Sequence, residues 1–194
     1  MSILSKPPQK HVMVDLETLG KKAGCVIASI GAVRFDPRAG VQSSEELLKD
    51  SFKRIISIPD SISQEFKVDG STIEWWMNQS KEAQESTFGE NLPKYLSSEA
   101  IGDLQNWFNK NDFIWGNGAN FDIPILEAYF DAFFANYPWK YAKVRCFRTA
   151  KAMLPFAGAS VPNNPIKHDC LTDAVYQAQV LQAIYAANPN IKED

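Results

Sequence analysis

The sequence predicts an α/β fold, a mixed sheet of about five strands, the first three antiparallel, flanked by helices. Three observations lead there. β-branched and apolar runs with short alternations fill the chain up to Ile58. Beyond Ser71, apolar residues recur at helical spacing. Strand-like runs then return between helical ones, at Asp112–Gly116 and Lys143–Phe147. Strands first, then strands alternating with helices, give a mixed sheet with helices on its faces, and ligand sites in such folds gather at strand ends.

Taken in order, His11 to Asp15 reads as a first strand, with Val12 and Val14 alternating against Met13. Val26 to Phe35 is a longer β-branched strand with Gly31 inside it, and Phe52 to Ile58 is a third; short turns between them make a meander. Ser71 or Thr72 is placed to cap a helix through Ile73, Trp75, Trp76 and Met77. Ser80 starts another, with Glu82 and Glu85 in its early turns. Ser97 or Ser98 begins a helix carrying Ile101, Leu104, Trp107 and Phe108. Asp112 to Gly116 is a short apolar strand, and Asp122 with Pro124 opens an apolar helix through Leu126, Tyr129, Phe130 and Phe133. Lys143 to Phe147 is the fifth strand, Ser160 to Lys167 is a proline-bearing loop, and Asp169 caps the last helix. The apolar stripe of that helix is Leu171, Ala174, Val175, Ala178, Gln182 and Tyr185.

With 194 residues, 45% hydrophobic and 22% charged, the composition is that of one ordinary globular domain, read here as residues 11–194. No apolar run reaches the ~18 residues of a membrane span. Met1 to Lys10 is polar, lacks the apolar centre of a secretory signal, and is expected to be a flexible arm on a cytoplasmic protein. Cys25, Cys146 and Cys170 form no C-x-x-C and are expected as reduced, mostly buried thiols. The net charge of −3 speaks against a broad basic surface for long duplexes but not against an enzyme gripping a few nucleotides.

Three short stretches carry chemistry. Asp15-Leu16-Glu17 ends the first strand, so both carboxylates point one way and Leu16 the other. Two acids on one face repel unless a cation lies between them, and hard divalent ions take oxygen ligands. Alone, such a pair is as well read as a solvated rim. Asp122 follows the small-residue turn Gly116-Asn117-Gly118-Ala119-Asn120 and opens a helix, where an N-cap is the plainer reading; one oxygen could cap while the other serves an ion. His168 precedes the last helix and Asp173 lies in its first turn, where a carboxylate is already favoured by the helix dipole. A histidine near an activated water titrates in the range a general base needs. His11, the other histidine, opens a strand and is given no catalytic role.

Val-Asp-Leu-Glu-Thr at Val14–Thr18, Asn-Phe-Asp at Asn120–Asp122 and His-x-x-x-x-Asp at His168–Asp173 together resemble the three motifs of the DEDDh (DnaQ-like) 3'-5' exonucleases, in that family's order and across nearly the whole chain. Gly24–Val33 and Thr72–Trp76 look most like its compact branch of phage exonuclease A-type deoxyribonucleases and bacterial exoribonucleases. The resemblance implies a ribonuclease H-like fold and hydrolysis of single-stranded DNA or RNA from the 3' end to nucleoside 5'-monophosphates. It implies two divalent cations, Mg²⁺ or Mn²⁺, held by Asp15, Glu17, Asp122 and Asp173, with Asp15 bridging and His168 as base. It also allows a homodimer. Many members carry Asn where this chain has Gly118. Leu16, Thr18 and Phe121 are expected beside the terminal nucleotide. Trp75 and Trp76 are adjacent on one helix, so one is expected to pack and the other to face a base. Lys143, Arg145, Arg148 and Lys151 are the most basic short stretch and a candidate for phosphate contacts. The competing class is a catalytically silent nucleic-acid-binding module on the same fold; binding alone needs no cluster of mutually repelling acids.

Overall fold

A computed structural model describes residues 10–155, 161, 163–164 and 167–192. The arm expected at Met1–Lys10 lies outside the described residues apart from Lys10, as does part of the loop expected at Ser160–Lys167. In chain order the elements are β1 (His11–Thr18), β2 (Ile27–Phe35), α1 (Ser44–Leu48), β3 (Ser51–Ile56), α2 (Ile58–Ser63), α3 (Gly70–Met77), α4 (Lys81–Phe88), β4 (Lys94–Tyr95), α5 (Ser97–Trp107), β5 (Phe113–Gly116), α6 (Asp122–Ala132), β6 (Val144–Cys146), α7 (Phe147–Met153) and α8 (Cys170–Ala187). The sheet order is β4-β3-β2-β1-β5-β6.

β1, β2 and β3 pair antiparallel, while β5 and β6 continue the sheet parallel to β1. The extra strand over the expected number is β4, two residues added parallel to β3 at the edge. It is too short to show any alternation. The meander is looser than expected, because Ser43 caps α1 between β2 and β3 through a reciprocal capping box with Glu46. β1 also runs three residues beyond Asp15, with a register irregularity between Glu17 and Thr18.

The period-two pattern of β1 divides the core. Val12, Val14 and Leu16 pack on one face with Ile101, Leu104, Leu126, Tyr129 and Phe130. Met13 packs on the other, with Val33, Phe113, Trp115 and α8. Asp15 and Glu17 have the parity of Met13 and therefore face α8. The last helix is buried on more than the expected stripe: beside Gln182 of that stripe, Gln177 and Gln179 are buried as well. The Nε2 groups of Gln177, Gln179 and Gln182 donate to Asp15, to the Gln42 carbonyl and to the Asp36 carbonyl, while the buried Gln177 Oε1 accepts no hydrogen bond among the described residues. Glutamine reads as polar in a sequence pattern, so a helix enclosed on several sides by paired amides is not visible there.

The N-terminus of α8 meets the sheet at Gly31, which pairs with Asp15. A Cβ on Gly31 would stand 2.3 Å from the Cys170 carbonyl carbon and 2.5 Å from the Leu171 nitrogen. The missing side chain lets the helix start press onto the backbone of β2, one strand away from the acids of β1.

Candidate active site

Asp15 and Glu17 leave β1 toward the start of α8, and the chain brings the third motif to meet them. Asp169 caps α8 by accepting from the Leu171 and Thr172 amides. It is buried and pairs with Lys53 of β3. Burial pushes the Asp169 carboxyl up, but the Lys53 ammonium and the backbone donors outweigh it and hold the group below its ordinary range. Lys53 sits opposite Gly31 on β3, so this ion pair ties the helix cap across the sheet.

His168 adopts a left-handed backbone, φ 63°, which turns its amide back to donate to Asp173 Oδ2 at 2.8 Å. Asn164 donates to the other Asp173 oxygen. The His168 ring lies edge-on against Trp75, with centroids 4.8 Å apart. Glu17, His168 and Asp173 each offer a ligand atom within 4.8 Å of the others. Gln177, one turn beyond Asp173, donates its amide to Asp15 Oδ1 at 2.7 Å.

Asp122 is not the N-cap of α6. Phe121 occupies that position without a side-chain hydrogen bond. Both Asp122 oxygens are engaged elsewhere: Oδ2 accepts from the Asn117 amide at 2.6 Å and Oδ1 from the Leu16 amide at 3.3 Å. Gly116 makes room for this, since a Cβ there would stand 2.9 Å from Asp122 Cβ. Asp122 thus clamps the ends of β1 and β5 together from behind the acids, 1% exposed.

Four carboxylates this close raise one another's proton affinity. Burial, then Asp173, Asp169 and Asp122, pushes Glu17 up to about 8. Asp15 is raised well above its ordinary value by burial, Asp122, Glu17 and Asp173. Asp122 rises to about 6 through burial, partly offset by its backbone donors, and Asp173 rises for the same main reason. Oxygen donors with repelling charges, held in place by backbone and amide hydrogen bonds, suit a hard divalent cation, which would release the stored repulsion.

Asp15, Glu17, His168 and Asp173 open onto one cavity of about 480 Å³, which Leu16, Thr18, Trp75, Trp76 and Phe121 also line. All five residues predicted as ligands or base are therefore brought together, with Asp122 one layer behind. The tryptophans divide: Trp76 is 4% exposed and donates its indole N–H to the Thr18 carbonyl, whereas Trp75 is 42% exposed at the cavity wall. The Leu16 amide and the Thr18 carbonyl already have protein partners, so what these two turn toward the cavity is the remaining edge of the strand end. The sequence singled out neither Gln177 nor Lys53, and it placed Asn117 only in the turn before Asp122. Gln177 had a usable signal, lying four residues after Asp173 and hence above it on the same helix face.

A family model described as the 3'-5' exoribonuclease Rv2179c-like domain matches residues 10–185. An exodeoxyribonuclease of Enterobacteria phage T4 is 28% identical over 127 residues, which is 59% of this chain and 52% of the phage protein. The chain thus spans about half the length of that curated relative. The crystal structure of cell-death related nuclease 4 (CRN-4) superposes with a TM-score of 0.60 at 12% identity, over 93% of this chain and 65% of the other, just under two thirds of it. The nuclease domain of 3'hExo, a DEDDh family member bound to rAMP, superposes with a TM-score of 0.54 at 12% identity, over 97% of this chain and 98% of that one. At such identities the two structures show a shared fold, the ribonuclease H-like mixed sheet.

Proposed function

Because the chain belongs to the 3'-5' exoribonuclease Rv2179c-like domain family, we propose that it is a 3'-5' exonuclease that shortens single-stranded nucleic acid one nucleotide at a time, releasing nucleoside 5'-monophosphates. The observation that carries this is the convergence of Asp15, Glu17, Asp173 and His168 on one cavity, with Asp122 behind it. Asp15, Glu17 and Asp173 would hold two divalent cations, Mg²⁺ or Mn²⁺, with Asp122 supporting the strand end that carries Asp15. When bound, such ions lower the pKa of water and neutralise charge developing on the scissile phosphate.

The chain's own groups do the rest. Gln177 fixes one oxygen of Asp15 and leaves the other turned to the cavity. The His168 amide and Asn164 orient Asp173. The His168 ring, seated against Trp75, takes the proton of the attacking water. Trp75 offers a half-exposed face on which the terminal base stacks, a contribution of about 1–3 kcal/mol. Trp76 supports it from the core, and Phe121 wedges against the sugar or base. Leu16 and Thr18 form the floor.

The family description names RNA and the phage relative's name says DNA, so the test uses both. Matched single-stranded DNA and RNA, labelled at the 5' end, are followed with Mg²⁺ or Mn²⁺. The expected result is a labelled ladder shortening from the 3' end, with unlabelled nucleoside 5'-monophosphates recovered by chromatography from the first time point. Internal cuts without a ladder, or products bearing 3'-phosphates, would overturn the reading.

A further inference from the structure

Beside the catalytic cavity lies a second concavity of about 420 Å³, lined by Gly20 to Cys25 and by Lys67 to Gly70. Gly20 and Lys21 line both, so the two are continuous. The backbone that shapes the second is fixed. Lys67 donates its amide to the Gly24 carbonyl, and its own carbonyl accepts from Val26. Cys25 bridges to Lys67, the Asp69 amide donates to the Leu19 carbonyl, and Gly24 takes the left-handed turn at φ 85°.

This scaffold sets Lys21, Lys22 and Lys67 around one opening, all three exposed. Among the described residues none of them forms an ion pair, although Arg34, Lys53 and Arg54 all do. One carboxylate shares the concavity. Asp69 accepts from the Ser71 amide and hydroxyl through a single oxygen, and those hydrogen bonds, with a smaller contribution from the nearby Lys21 ammonium, hold it below its ordinary range. A chain of net charge −3 therefore gathers three positive side chains around a concavity that adjoins the cavity of acids, with Lys21 lining both.

The expected basic stretch is differently disposed. Lys143 and Arg145 lie over the Phe113 ring, Arg145 donates to the Ala142 and Val144 carbonyls, and Arg148 donates to the Asn117 carbonyl. Those cations are engaged with the protein itself.

We propose that the lysine-lined concavity holds backbone phosphates of the strand upstream of its 3' end, so that the substrate is a polynucleotide several residues long, gripped at two adjoining places. This rests on the exonuclease reading of the neighbouring cavity. The scissile phosphate meets an acid cluster suited to cations; phosphates further upstream lie beyond those acids and need positive side chains instead. Lysine serves there as a hydrated point charge that accepts any sequence and either sugar.

The test compares wild type with the double variant Lys22→Ala/Lys67→Ala, leaving Lys21 in place because it also lines the catalytic cavity. Binding of labelled single strands of two and of eight nucleotides is measured by anisotropy in EDTA across a salt series, and hydrolysis of the same strands is measured separately with Mn²⁺. Wild type should bind the eight-mer more tightly than the two-mer. The double variant should lose most of that preference, with its salt slope for the eight-mer lower by about 1.4, two contacts at about 0.7 each. Its hydrolysis of the two-mer should match wild type. An unchanged eight-mer affinity and slope would overturn the proposal. So would an equal loss on both lengths, or inorganic phosphate competing equally at both, which would mark an isolated anion site. If wild type binds by length through these lysines but releases no mononucleotide, the exonuclease reading falls and the strand site stands. If it hydrolyses both lengths with the same KM, the reverse holds.

Discussion

Glu17 is the residue at which the chemistry of the site is most readable. Its carboxyl is 6% exposed and pushed up to about 8 by burial and by Asp173, Asp169 and Asp122. A folded-state pKa above the ordinary 4.5 means that the native protein holds a proton that the unfolded chain has released. The stability from that proton is fully present below pH 4.5 and is lost as pH rises toward 8. His11 acts in the opposite sense: burial, then Arg145, Lys143 and Arg38, lower it from 6.5 to about 3, so its contribution changes only between about pH 3 and 6.5 and is constant above that. The window from pH 6.5 to 8 therefore isolates the acid cluster. Metal-free protein should melt at progressively lower temperature across it, and the increment given by Mn²⁺ should grow over the same range. Thermal melts with EDTA and with Mn²⁺ check this, and Glu17→Gln should flatten both trends. A metal-free melting temperature that rises through the window would refute the charge account. The motif spelling made Glu17 visible as a candidate. Its burial was not visible, because that depends on α8 closing over β1 from more than 150 residues away in sequence.

At the level of elements, the site depends on how closely α8 approaches β2. Gly31 carries that approach, since an added Cβ meets backbone atoms of Cys170 and Leu171 that cannot swing aside. Gly31→Ala should shift the start of α8, with Asp169, Asp173 and the preceding His168, by a fraction of an ångström to an ångström. We expect a destabilisation of about 1–3 kcal/mol and a fall in kcat of at least about a hundredfold. Denaturant melts and single-turnover rates separate the two effects. A variant with wild-type kcat would show that the helix–strand contact does not set the geometry. Much at this scale was legible in the sequence: β1, β2, β3, β5, α6 and α8 lie within a few residues of where periodicity and caps put them. The caps were less so. Asp69 rather than Ser71 or Thr72 caps α3, and Leu96 precedes α5, because several hydrogen-bonding residues in a row satisfy the same rule and only the backbone path chooses among them. Asp122 was misread as a cap for a related reason. Its partners, the Asn117 and Leu16 amides, come from two strands that are adjacent only once the sheet has formed.

For the whole molecule, three motifs drawn from β1, the β5–α6 turn and the start of α8 are assembled by one sheet order, β2-β1-β5, with α8 across the face of β1 and β2. Each motif has a plain structural explanation alone, and folding makes them one site. The lysines of the proposed strand site do not stand out in the sequence, because Lys21 and Lys22 lie far from Lys67 along the chain and meet it only through the Cys25–Lys67 bridge. Among the described residues no helix is long and apolar enough to cross a membrane. In the proposed function, the assembled acids and His168 perform 3'-terminal hydrolysis. Its most direct test is the rate of Mn²⁺-dependent mononucleotide release from a 3'-labelled single strand by wild type, Asp173→Asn and His168→Ala, each shown by melting to be folded. We expect steady release by wild type, none measurable from Asp173→Asn, and a loss of about 10²–10⁴-fold for His168→Ala. Near-wild-type release by folded Asp173→Asn would contradict it.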